Sequence, residues 1–133
     1  MMKTDPYLTE DGLKAVRKTG WPEWEEDGYR VSIRHSGGDG FYKACWSEEE
    51  KEWFFVGYTG THEAHVLLRD WFRVWLEKHD IMVSCAHTKL VKYAGWRWEG
   101  NDYFKDPVWI RAVKADTYDA ALIAAVLAAE EKK

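Results

Sequence analysis

The chain has 133 residues, the length of one domain, and its 46% hydrophobic content suffices for a core without a disulfide framework or a structural metal. A net charge of −4 opposes overall attraction to nucleic acid or to an anionic membrane, and no apolar run is long enough for an ordinary transmembrane helix. Only Cys45 and Cys85 occur, in no framework spacing, and the first fourteen residues lack the apolar stretch of a secretory signal. Reduced thiols and a cytoplasmic location are therefore expected.

Residues 1–8 read as a flexible tail. A short N-terminal helix fits 9–20, with Thr9 as cap, acids first, Lys14, Arg17 and Lys18 late, and Gly20 as stop, although Gly12 weakens it. "WPEWEEDG" (21–28) reads as a connector broken by Pro22. "YRVSIRHS" alternates as a strand with Tyr29, Val31 and Ile33 on one face. "GGDG" (37–40) is a hairpin signal, "FYKACW" a second strand, "SEEEKE" a charged turn and "WFFVGYT" a third strand, together an antiparallel meander. The period then changes. Ala64, Leu67, Leu68, Trp71 and Trp75 line one face of a helix at 62–79. "IMVSCAH", "KLVKYAGW" and "PVWIRAV" are further strands, and a last helix covers 117–130.

That last helix carries two patterns. Tyr118, Leu122 and Val126 step by four, beside Ile123 and Leu127, as a stripe suited to a sheet. Ala120, Ala124 and Ala128 step by four on another side, which faces solvent or takes a close, flat neighbour. A second copy of the chain is one such neighbour. The expected architecture is a single α+β domain over 1–133, with an antiparallel sheet of about five or six strands and two main helices packed on it. The nine tryptophans imply either an aromatic core or rings left over for recognition.

Tyr58, Thr59, Glu63 and Ala64, the region from Trp96 to Trp109, and Ala115, Thr117 and Ala120 to Ala129 together make residues 57–129 resemble small phage and prophage proteins with the phage ABA sandwich domain. That resemblance implies a layered α/β fold, a phage origin and no catalytic residues. Asp39, Gly40, Phe41, Gly57, Thr59, Glu63 and Ala64 also resemble the HicB-type antitoxin fold, without a C-terminal DNA-binding segment.

His62, His65, Cys85 and His87 are candidate zinc ligands by residue type, yet their spacing fits no zinc motif, and solvated histidines with a core cysteine are the ordinary alternative. "GGDG" joins two strands, so it is a turn and not a phosphate cradle. The carboxylates of "SEEEKE" and "WEEDG" look solvated, which argues against an acid–base enzyme. Lys89, Lys92, Tyr93, Trp96, Arg97 and Trp98 interleave cations with rings, as a single-stranded nucleic-acid binder would. The first reading is a small non-enzymatic phage or prophage protein that binds a host or phage protein, such as a defence factor it inhibits. Trp21, Trp24, Trp96 and Trp98 are its contact candidates. A nucleic-acid binder and a HicB-like or small-ligand protein are the alternatives, and no cofactor is implied.

Overall fold

A computed structural model describes residues 5–35, 40–85, 92–97 and 108–129, without the side chains of Val108, Trp109, Arg111 and Ala112. The fold is α+β. A 3-10 turn at Pro6–Leu8 precedes α1 (Glu10–Thr19), β1 (Glu23–Glu26), β2 (Tyr29–His35), β3 (Phe41–Ser47), β4 (Glu52–Tyr58), α2 (Thr61–Lys78), β5 (Ile81–Cys85), β6 (Tyr93–Arg97), β7 (Val108–Ala115) and α3 (Tyr118–Ala128). Among the described residues the strands form two antiparallel sheets, β1-β2-β3-β4 and β5-β6-β7. Alternation marks a strand but does not choose its partner. Each group of sequence-adjacent strands closes on itself, and the 18 residues of α2 interrupt the order between them. The chain correspondingly divides into two compact units, Gly20–Trp71 and Met1–Thr19 with Phe72–Lys133, the division falling inside α2.

In the unit Gly20–Trp71, β1 lies within the stretch expected to be a connector. Asp27 and Gly28 make a two-residue turn with φ of 52° and 83°, the positive values that let β1 and β2 pair as a tight hairpin. Val31, Ser32 and Ile33 of β2 are all buried. The Ser32 hydroxyl donates to the Pro22 carbonyl at 2.8 Å, so the one buried polar side chain among the described residues is satisfied. Lys43 pairs with Gly57 and Ala44 with Phe55, which leaves Val56 as the extra residue of a bulge in β4. Ala64 and Leu68 of α2 are buried, and the His65 ring meets buried Phe41 edge-on at 6.1 Å.

The second unit holds α1, the end of α2, β5–β7 and α3. Tyr7, within the stretch expected to be a tail, is fully buried. Its ring packs edge-on to Phe72 at 5.6 Å, and its hydroxyl donates to Asp119 at 2.5 Å. The α2 stripe runs through Phe72 and Leu76, with Trp75 half-buried at its flank. Thr9 caps α1 by accepting the Gly12 amide at 3.0 Å, and Thr117 caps α3 by accepting the Ala120 amide at 3.2 Å.

The alanine-rich sequence of α3 follows from its position between α1 and the sheet β5–β7. Tyr118 meets Tyr93 of β6 at 5.8 Å, and Leu122 and Val126 are buried along the same stripe. Ala121 and Ala125 are fully buried as well, so the helix is apolar around most of its circumference. The stripe Ala120, Ala124 and Ala128 is half-buried and borders a cleft shared with Pro6, Thr9 and Asp11. Small side chains here let α1 and the 3-10 turn come close to α3.

Gly12 has the same cause. A Cβ at Gly12 would lie 2.7 Å from the Tyr7 Cα, inside the 3-10 turn. Gly12→Ala would gain about 1 kcal/mol of helix propensity but must displace that backbone. The expected net effect is a loss of about 1–3 kcal/mol in denaturant unfolding, the range for overpacking, whereas a stabilised variant would contradict the close approach.

Candidate functional site

Strand alternation on β2 sends Val31, Ile33 and His35 to one face of the four-stranded sheet and Arg30, Ser32 and Arg34 to the other. Register then fixes what stands beside the two arginines. Glu23 of β1 is opposite Ser32, diagonal to both. Its carboxylate accepts from Arg30 at 2.8 Å and lies 3.9 Å from Arg34. On the other side Trp46 of β3 is opposite Trp53 of β4, and their rings meet at 5.4 Å and 63°. The Arg30 guanidinium sits 5.4 Å from the Trp46 ring and 5.2 Å from Trp53, and Arg34 sits 4.4 Å from Trp53. These are cation–π distances.

The aromatic row continues along β3 and β4. Tyr42 meets Phe55 at 5.7 Å, and Phe55 meets Tyr58 at 5.1 Å. The bulge at Val56 allows this, because the extra residue returns Tyr58 to the Phe55 side. Phe55 is 57% exposed and Tyr58 76%. Phe54 and Val56 are exposed too, so β4, terminal in its sheet, presents apolar side chains to solvent.

Beside β1 a cavity of about 380 Å³ is lined by Glu23, Trp24, Glu25, Gly28, Tyr29, Arg30, Trp46 and Glu48. The Trp24 indole donates to Glu26 at 3.1 Å, and Lys43 bonds the same carboxyl group at 2.8 Å. The hydrogen bond from Lys43, followed by that from Trp24, holds Glu26 below the ordinary carboxylate range. Glu48 is held down likewise, first by Lys51 at 2.9 Å and to a lesser degree by the Trp46 indole and the Arg30 charge.

Of the contact residues expected from sequence, Trp24 lines this cavity and Trp21 is half-buried. Lys92, Tyr93, Trp96 and Arg97 lie on or beside β6 of the other sheet. Alternation along β6 sends Tyr93 and Arg97 to one face and Trp96 to the other, so these three side chains do not share a face. The Trp96 indole is bonded to the Ser84 hydroxyl at 3.0 Å. Lys89 and Trp98 lie outside the described residues, as do His87 and Asp39. His62 is exposed, His65 packs against Phe41, and Cys85 is exposed. Among the described residues no group of three or more metal-ligating side chains comes together.

Sequence reasoning missed Arg30, Arg34, Trp46, Trp53, Phe55 and Tyr58. A signal was present: the alternating Arg-Ser-Arg of β2, and a tryptophan near each end of the "SEEEKE" hairpin. Compared with family models, curated proteins and solved structures, the chain matches none. Among the described residues no helix is long and apolar enough to cross a membrane.

The lowered Glu26 and Glu48 carboxyls favour the folded state while ionised. Their contribution is complete above the reference pKa of 4.5 and fades only as pH falls through their lower folded values. The stability difference between the wild type and Glu26→Gln should therefore stay flat from neutral pH to about pH 5 and shrink below that in thermal unfolding. A difference that grows with acidification would contradict the assigned partners.

Proposed function

We propose that the protein is a non-enzymatic binding module that engages another protein through the aromatic and arginine-bearing face of its four-stranded sheet. The observation that supports this best is the row Tyr42, Phe55 and Tyr58, which extends the Trp46–Trp53 pair out to an exposed sheet edge. Aromatic and arginine side chains are the types most enriched at the centres of protein interfaces. Two-ring and ring–guanidinium contacts hold these side chains in place before a partner arrives, which lowers the ordering cost of binding. Tryptophan distribution supports the same reading: Trp21, Trp24, Trp46, Trp53, Trp71, Trp75 and Trp96 are each half-buried, not enclosed in a core. The resemblance to small phage proteins favours a host or phage protein as partner, with inhibition of a host factor as the consequence.

A single-stranded nucleic acid fits this face less well. Both arginines already face Glu23, and Glu48, Glu49 and Glu50 crowd the adjoining hairpin.

The test is Phe55→Ser with Tyr58→Ser, two exposed positions whose replacement should shift the melting temperature little. Cross-linked capture from a bacterial lysate, read by mass spectrometry, should yield specific proteins with the wild type that the double variant loses. Equal capture by both would overturn the assignment of the face.

A further inference from the structure

We infer that the outer edge of β4 pairs antiparallel with the same edge of a second copy of the chain, so that two sheets join side by side. This self-association does not depend on the protein-binding reading, and it sets a second ring-bearing face beside the one that reading describes.

Three observations carry it. First, the edge is open and unguarded. Among the described residues β4 is terminal in its sheet, so alternate amides and carbonyls point away from β3. From Trp53 to Thr61 the sequence holds no Asp, Glu, Lys, Arg or Pro, the residues that ordinarily protect an edge. Phe54, Phe55 and Val56 are 43%, 57% and 58% exposed. Only the bulge at Val56 limits pairing, and it confines it to the stretch from Glu52 to Val56. Second, the two ends of the edge differ in charge. Glu49, Glu50 and Glu52 stand at its start with no ion-pair partner among the described residues, while Glu48 is taken by Lys51. At its other end α2 begins, and the first intrahelical bond runs from the Ala64 amide to the Gly60 carbonyl. Gly60 has no side chain to cap the amides before Ala64, so Glu63 is the acid that offsets the positive end of the helix dipole. An antiparallel pair sets the acidic start of each copy beside the helix start of the other. A parallel pair sets acid against acid, so charge selects the two-fold arrangement. Third, the side chains fit an axis at Phe54. Trp53 of one copy then stands opposite Phe55 of the other, a favourable aromatic cross-strand pair, on both sides of the axis. An axis at Phe55 would set Trp53 against Gly57, which offers nothing to pack on. Strand pairing keeps each face on its own side, so the Trp46–Trp53 and Phe55–Tyr58 rows of both copies lie on one open surface. Pairing over so short a stretch buries less than roughly 1,200 Å², the size of a transient complex.

Sedimentation velocity of the full chain, from about 1 μM to about 1 mM, tests it. The chain should be monomeric at the low end and pass to a dimer with a Kd of about 100 μM. Phe54→Lys puts two like charges across the axis and should weaken the dimer at least about tenfold. Glu49→Lys with Glu50→Lys should weaken it about threefold. Leu127→Lys, on α3 beside the alanine stripe, should leave it unchanged. Cross-linking gives a second readout, which decides the matter if Phe54→Lys fails to fold. In a chain carrying Cys45→Ser and Cys85→Ser, Phe54→Cys should oxidise to a covalent dimer, whereas Tyr29→Cys, at an exposed position of β2, should not. A chain that stays monomeric to about 1 mM, a dimer lost with Leu127→Lys but not with Phe54→Lys, or equal cross-linking from Tyr29→Cys would each overturn the inference. Capture of another protein through Phe55 and Tyr58 by a monomeric chain would leave the binding module and remove only the dimer. Self-association with capture indifferent to those two residues would do the reverse.

Discussion

The stacking of Arg30 and Arg34 on the Trp46–Trp53 pair is the contact from which the rest of the recognition surface follows. It needs all four strands in register: Glu23 opposite Ser32, Arg34 opposite Tyr42, and Trp46 opposite Trp53. A slip of one residue in β2 would send both arginines to the face that now holds Val31 and Ile33. The buried Ser32 resists that slip, because its hydroxyl and the Ile33 amide both donate to the Pro22 carbonyl. A polar residue at the centre of the sheet thus helps to fix which face is apolar and which is aromatic. The contribution of each exposed cation–ring contact is small, about 0.5–1 kcal/mol, so the ladder matters more for orientation than for stability.

The distribution of aromatic residues has one physical explanation across both units. An indole is large and carries an N–H that must find an acceptor when it leaves water. The structure answers with half-buried positions. Trp71 donates to the Gly20 carbonyl, Trp96 to Ser84 and Trp24 to Glu26. Among the described residues the enclosed aromatic side chains are the smaller Tyr7, Phe41 and Phe72. In the second unit α3 lines the core, with Ala121 and Ala125 beside Leu122 and Val126, packed against α1 and β5–β7.

Much of this fold was legible in the sequence, for identifiable reasons. The α+β class, the helices α1, α2 and α3, the Thr9 cap of α1, and the meander β2–β4 follow from periodicity and capping chemistry. The strand β1 was hidden because "EWEE" carries one apolar residue and follows a proline. Its real marker was Asp27-Gly28, two residues between two strands. The α2 stripe was read slightly off centre: Ala64, Leu68, Phe72 and Leu76 are buried, whereas Leu67, Trp71 and Trp75 flank them. Tyr7 could not be placed because its partners, Phe72 and Asp119, are distant in sequence. The division into two sheets was equally invisible, since strand patterns do not name their neighbours. The site was the least legible part. Half of a cross-strand ladder resides in the register, and among the described residues Trp24 alone of the expected contacts lines the cavity.

Hydroxyl-radical footprinting of the free protein, read residue by residue, tests the open aromatic face most directly. Phe55 and Tyr58 should oxidise rapidly while Tyr7, Phe41 and Phe72 stay protected. Protection of Phe55 and Tyr58 to the level of Tyr7 in the free chain would contradict the account.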